Sequence, residues 1–239
     1  MSKYQEIARN YQEVLAQLKQ AASRSGRDPD TVKLVVVTKS HPLDSVKAVI
    51  DLGVRHLGEN RVEEALSKMA ALSGTPDLHW HMIGHVQSRK AQNVLKGFHL
   101  IHSLDSLKLA DRYERLSAER GIVLPVLLEM NAGGEISKYG WDVAQAGMIG
   151  QVLAMVDEII RLPHLAVRGV MSMAPLNCPS EELRRIFKRV KRIQMDLKAK
   201  FPNKDIIELS MGTSADFTIA VEEGATLIRV GQAILGQRS

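Results

Sequence analysis

Lys39 stands just beyond the apolar run Leu34–Val37, where a primary amine is costly to keep charged. Desolvation there favours the neutral amine, which can attack an aldehyde and form an imine. A strand-end lysine can equally reach out to solvent, so its meaning depends on its company. Ser210-Met-Gly-Thr-Ser214 is small, hydroxyl-bearing and glycine-containing, and it opens a helical segment. Gly231 follows a second apolar run and precedes another short helical stretch. Backbone N–H groups in such turns can point at a dianion, and glycine lets the chain come close. Two ordinary helix N-caps would carry the same residues. Arg229 interrupts the apolar run Leu227–Val230, where its charge needs a partner. The candidates are a carboxylate such as Glu208 or a ligand at the strand end.

These residues need elements to hold them. Eight β-branched or apolar runs read as strands: 33–38, 54–57, 78–83, 100–103, 123–130, 166–171, 206–209 and 227–230. Segments with a period near 3.6 lie between them, at 43–52, 61–72, 87–95, 106–119, 143–162, 181–201 and 215–223. That alternation predicts parallel βα units in an α/β fold. Eight is the number that closes a single (β/α)8 TIM-type barrel; an open doubly wound sheet is the other arrangement. In both, ligands gather at the carboxyl ends of the strands, and barrel phosphate sites are often built after strands seven and eight. An amphipathic helix over 4–25 precedes the first strand, with Ile7, Tyr11, Val14, Leu15 and Leu18 at helical spacing. One domain over 1–239 is the simplest account.

Composition sets bounds on function. Hydrophobic residues at 45% and charged residues at 25% describe an ordinary globular chain. Aromatics at 4% are too few for a single-strand nucleic-acid platform, and a net charge of +5 fits an anionic small ligand and weak nucleic-acid contact equally well, or simply serves solubility. Cys178 is the only cysteine, so no intramolecular disulfide forms. No apolar run approaches the roughly 20 residues that cross a bilayer, and the first residues lack a signal-peptide core. The expectation is a cytoplasmic protein, a monomer, with no membrane and no specific nucleic-acid partner.

Several ordered motifs resemble the pyridoxal phosphate homeostasis proteins, also called the proline-synthetase co-transcribed family. They are Val-Val-Thr-Lys39, Leu57-Gly-Glu-Asn60, His81-Met-Ile-Gly-His-Val-Gln-Ser-Arg-Lys90, Glu135-Ile-Ser-Lys-Tyr-Gly140, Arg168-Gly-Val-Met171, Ser210-Met-Gly-Thr-Ser-Ala-Asp216 and Arg229-Val-Gly-Gln-Ala-Ile-Leu-Gly236. The resemblance runs nearly end to end. It implies a barrel like the N-terminal domain of alanine racemases, without their β-domain. It implies pyridoxal 5′-phosphate (PLP) held as a Schiff base on Lys39, with Asn60 near the ring and Arg229 facing the pyridine nitrogen. Ser210, Gly231 and Gln232 would hold the phosphate largely through backbone N–H groups, with Ser214 as helper.

Three departures from the family pattern stand out: Thr213 where Met is common, Gln232 where a small hydroxyl residue is common, and Arg89 where Asn is common. If the contact at 232 is a backbone N–H, Gln is tolerated; if it is a hydroxyl, one phosphate bond is lost.

The arginine shapes the expected chemistry. It stays protonated, so it favours an unprotonated ring nitrogen and weakens the electron sink. Racemases of the related fold add a tyrosine base from the domain missing here. Of Tyr4, Tyr11, Tyr113 and Tyr139, only Tyr139 falls in a loop. The reading is therefore vitamin B6 homeostasis by reversible carriage of PLP to PLP-requiring apoenzymes, with no catalytic residue assigned; a PLP-dependent amino-acid racemase is the alternative. A zinc site at His79, His81 and His85 lacks a completing ligand and is disfavoured. The basic segment 181–204 reads as an outer barrel helix with a solvated charged face, and Cys178 as an ordinary loop thiol.

Overall fold

The computed structural model describes residues 2–135 and 139–237. The chain opens with α1 (Lys3–Arg24), then alternates β1 (Lys33–Val37), α2 (Leu43–Asp51), β2 (His56–Glu59), α3 (Val62–Ala71), β3 (His79–Met82), α4 (Ala91–Val94) and β4 (Leu100–Leu104). It continues through α5 (Leu107–Ala118), β5 (Leu124–Asn131), β6 (Trp141–Asp142), α6 (Ala146–Ile160), β7 (Leu165–Met171), α7 (Ser180–Lys200), β8 (Glu208–Ser210), α8 (Phe217–Glu222), β9 (Leu227–Val230) and α9 (Gln232–Leu235).

Eight parallel strands close in the order β1-β2-β3-β4-β5-β7-β8-β9, and β9 returns to β1 with Leu34 beside Ile228 and Val35 beside Arg229. The barrel is therefore closed, and the open-sheet alternative falls. The two-residue β6 lies outside it, paired only to the end of β5. Ser2 caps α1 through the Gln5 N–H, and Gln5 returns the bond to the Ser2 N–H. The buried stripe Ile7, Val14, Leu18, Ala21 and Ala22 holds α1 to the barrel's outside.

Two cores result. The larger one fills the space between strands and helices. A small one, Val35, Leu100, Leu127, Met171 and Leu227, fills the barrel itself. Because side chains alternate along a strand, the next inward positions after Leu100, Leu127 and Leu227 are His102, Glu129 and Arg229. The barrel interior thus turns polar toward the carboxyl ends of its strands, its upper mouth. Among the described residues, no helix is long and apolar enough to cross a membrane.

The basic segment forms α7, whose Leu183, Ile186, Phe187, Val190, Ile193 and Leu197 are buried as an outer-helix stripe. Arg184 pairs with Glu222 and Glu223 on its outer side. Cys178 lies in the loop before it, its thiol pushed up by desolvation rather than activated.

Candidate functional site

Lys39 lies two residues past the end of β1 in a turn whose next residue, Ser40, has φ 60°. Both neighbours are pinned. Thr38 Oγ1 donates to Glu59 Oε1 (2.6 Å), and the Ser40 N–H donates to Glu64 Oε1 (2.6 Å). Lys68 ties the two carboxylates together, its Nζ 2.7 Å from Glu59 Oε1, Glu64 Oε1 and the Thr38 carbonyl. Burial pushes the Glu59 carboxyl up, opposed by Lys68 and Thr38, while Lys68 and the Ser40 N–H hold Glu64 below its ordinary range against a desolvation push upward. Lys39 itself is half-buried and lines a cleft of about 340 Å³ with Val37, His41, Gly231, Gln232 and Gly236.

Opposite Lys39, the turn between β9 and α9 presents backbone N–H groups. Those of Gly231 and Ala233 donate to Ser214 Oγ at 3.3 and 3.2 Å. The hydroxyl of Ser214 stands where an anion's oxygen could accept. The Ser210–Ser214 loop is itself braced: the Thr213 N–H and Oγ1 both bond Asp216 Oδ1 (2.5 and 2.9 Å), which explains a hydroxyl residue at that departure from the family. Gly212 has φ +94°, and a Cβ there would meet Phe217 Cα at 2.9 Å, so only glycine turns the chain at this point.

Arg229 and Ser210 lie beneath this cleft, inside the barrel. Arg229 Nη1 donates to Ser210 Oγ (2.6 Å) and Nη2 to the Ser172 carbonyl (2.9 Å). The Ser210 hydroxyl is thereby committed to the floor and not to the phosphate turn. The ion pair of Arg229 with Glu208 does not form: Glu208 pairs with Lys33 (2.9 Å) and accepts from Thr226 (2.5 Å). Burial lowers the Arg229 pKa to about 10, with Asp216 and Glu129 opposing the fall, so it remains a cation at neutral pH.

Asn60 continues the inward face of β2 but lines a neighbouring cleft with Arg61, Met82 and His85. Its Oδ1 is buried without a hydrogen-bond partner. Gly84 packs directly on it; a Cβ at 84 would come within 2.5 Å of the Asn60 carbonyl oxygen. Arg89, the third departure, is exposed on a short 3₁₀ turn and bonds the Gln87 side chain (3.1 Å).

The structure also gives surroundings to groups that the sequence reading left without a cofactor role. Glu129, at the end of β5, is buried with Oε2 unpartnered, and burial together with nearby Asp105 raises its pKa to about 7. His85 Nδ1 lies 2.6 Å from Asp105 Oδ2, and the exposed Tyr139 ring stacks on His85 at 3.7 Å. Glu129 is visible in the sequence as a strand-end carboxylate, and alternation along β5 turns it inward. Ser137 and its neighbours 136 and 138, inside the Glu135–Gly140 motif, lie outside the described residues. His79 and His81 share a face, but His79 is exposed at the lower mouth while His85 is at the upper one, so the three do not converge. Among the described residues, no group of three could hold a metal.

A closed parallel barrel with a lysine after its first strand and an amide-lined turn after its last defines the fold class of the racemase-type barrels. The chain belongs to the alanine racemase N-terminal domain family, whose model matches residues 5–239, and is similar to the pyridoxal phosphate homeostasis proteins within it. One such protein, from Pseudomonas aeruginosa, is 37% identical over 97% of this chain and 96% of its own length. The solved structure of PipY from Synechococcus elongatus with PLP bound is 35% identical, covers 92% of this chain and all of that one, and superposes with a TM-score of 0.79. An alanine racemase of Clostridium difficile shares the fold at 14% identity and a TM-score of 0.72, with 96% of this chain matching 55% of that one.

Proposed function

We propose that this protein holds PLP covalently at Lys39 and carries it reversibly, in the service of intracellular cofactor homeostasis, with PLP-requiring apoenzymes as acceptors. The observation that carries the reading is Arg229: a buried guanidinium whose bonded partners are the neutral Ser210 hydroxyl and Ser172 carbonyl. Such a group favours a neutral acceptor with a lone pair, as a pyridine nitrogen offers. Asn60 Oδ1 and the Gly231 and Ala233 N–H groups supply the remaining polar contacts a phosphorylated ring needs, so the residues present fit the cofactor.

When bound, PLP supplies an aldehyde for amines and an electron-withdrawing ring. The protein's own part is to position. The Glu59–Lys68–Glu64 cluster fixes the backbone on both sides of Lys39, leaving its side chain to face the cleft. Gly231, Gln232 and Ser214 would receive the phosphate, and Arg229, unable to take up or lend a proton near neutrality, would leave the ring a weak electron sink. The protein acts as a cytoplasmic monomer in this reading.

A racemase-like activity has one residue in its favour, since a carboxyl titrating at about 7 can both take and give a proton near neutrality. Absorbance of the purified protein tests the covalent attachment, and an activity assay decides between carriage and catalysis. The native protein shows a visible-edge PLP band that borohydride removes, and Lys39→Ala lacks it. A colourless protein that also fails to take up added PLP defeats the reading; saturable racemisation or transamination abolished by Lys39→Ala replaces carriage with catalysis.

A further inference from the structure

Below Arg229, a line of side chains runs to the opposite end of the barrel, and nothing in the Lys39 cleft uses it. Ser210 Oγ, which accepts from Arg229, lies 2.9 Å from His102 Nδ1. His102 Nε2 lies 2.9 Å from His81 Nδ1, and His81 Nε2 lies 3.0 Å from His56 Nδ1. Ser210, His102 and His81 are buried; His56 is half-buried and opens on a cleft of about 290 Å³ at the lower mouth, among His79, His99, Arg168 and Glu208.

Counting donors leaves this line two concerted states. A guanidinium has no acceptor, so the Ser210 oxygen must accept from Arg229, which leaves one hydroxyl proton to place. Given to His102 Nδ1, that proton forces His102 to carry its own on Nε2 and donate to His81. His81 in turn donates from Nε2 to His56, whose Nε2 proton then faces the lower cleft. The only other consistent state reverses every bond and turns the Ser210 proton up toward the cofactor cleft. Any mixture sets two donors or two acceptors against each other across about 3 Å, which a dry interior penalises. Desolvation holds His81 and His102 well below the ordinary imidazole range, so both remain neutral. His56 is lowered to about 4 by desolvation first, then by His79 and Lys33, with Glu208 opposing and His99 adding a smaller push.

We propose that Ser210, His102, His81 and His56 form a proton path between the floor of the Lys39 cleft and solvent at the lower mouth, with Arg229 donating to its upper end. In one passage Ser210 Oγ takes up a proton shed in the cleft and passes its own to His102 Nδ1. The Nε2 proton of His102 moves to His81 Nδ1, that of His81 to His56 Nδ1, and that of His56 to water. Each ring then holds its proton on Nδ1, and the path works again only after one proton has travelled back. A path that must reciprocate suits a site that loads and unloads a ligand. The proposal rests on the cofactor reading only for what sheds the proton above Ser210.

The ligand-free protein tests it. Nitrogen-15 NMR of the imidazole rings at pH 7.5 is expected to show His56, His81 and His102 neutral, all with the proton on Nε2. His56→Phe, which keeps a ring beside His79 but carries no proton, is expected to slow exchange of the His102 ring proton with water at least tenfold. His56→Gln, with a donor and an acceptor, restores exchange. Mixed tautomers in the native protein overturn the path, as does unchanged or faster exchange in folded His56→Phe; the native tautomers decide the matter even if that variant does not fold. Uniform tautomers in a protein that binds no PLP would sink the cofactor reading alone, whereas mixed tautomers in a protein that binds PLP would sink the path alone.

Discussion

Two glutamates sit at the upper mouth on opposite sides of the barrel, and both are buried: Glu59 at the end of β2 and Glu129 near the end of β5. Burial pushes both carboxyls up. Their surroundings differ. Glu59 Oε1 receives Thr38 and Lys68 although its Oε2 is unpartnered; Glu129 Oε2 is likewise unpartnered, and its carboxyl feels Asp105 with Arg229 opposing. One is a strut that fixes the lysine turn; the other is a group held uncomfortably on the far wall. A buried carboxyl is therefore not evidence of chemistry by type. Whether its charge is compensated decides the role.

The sharpest way to break this contrast is at Lys68. Lys68→Met leaves Glu59 buried with only Thr38, and frees Glu64 from its link to the Thr38 carbonyl. Removing one member of a buried pair costs about 3–5 kcal/mol, and that loss is expected in urea unfolding. A loss below about 1 kcal/mol would mean that Glu59 is neutral and that the cluster is not a strut.

Glu129 should respond with the opposite sign. Its folded pKa of about 7 lies above the 4.5 of a free carboxyl, so between these values the native state binds more protons than the unfolded state. Stability therefore rises as pH falls from about 7 to 4.5, and above 7 the penalty for the buried charge is complete. At about 1.36 kcal/mol for each pH unit, that penalty is roughly 3 kcal/mol at most. Glu129→Gln is expected to be more stable than the parent at pH 8 by about 1–3 kcal/mol, the gap closing by pH 5. Thermal unfolding at the two pH values checks it. A variant less stable at pH 8 would show that the carboxylate is compensated after all, and the contrast with Glu59 would disappear.

Much of the fold was legible because strand and helix periods are local properties. All eight barrel strands fall where apolar runs predict them, and β9 matches to the residue. The edges moved where a partner sets them: β8 covers Glu208–Ser210 instead of 206–209 because its ladder with β7 runs from Gly169 to Met171. Likewise β2 reaches Glu59 because His56–Glu59 pair with His79–Met82. β6 and α9 are too short to show a period. In the site, Lys39, Gly231 and Gln232 line one cleft and Ser214 bonds the Gly231 N–H, each a residue that announces itself by local type at a strand end. Lys68 does not, because at four residues from Glu64 on a helix it reads as a surface pair. His102 and Ser210 are 108 residues apart, and only barrel closure makes them neighbours.

On the Lys39 side, the finest question is whether the phosphate turn works through its backbone or through a hydroxyl. Gln232 begins α9, and the groups here that already donate to an oxygen are the N–H groups of Gly231 and Ala233, both on Ser214 Oγ. A phosphate met by backbone amides does not register the side chain at 232. Gln232→Ser, which restores the family's small hydroxyl, is then expected to change PLP affinity less than about threefold, under roughly 0.7 kcal/mol. Titration of the ligand-free protein with PLP, read by absorbance, measures it. A gain of tenfold or more would mean that a charge-assisted hydroxyl contact, worth about 1.5 kcal/mol or more, had been missing. The turn would then be a weaker phosphate grip than the clamp that holds Lys39 opposite it.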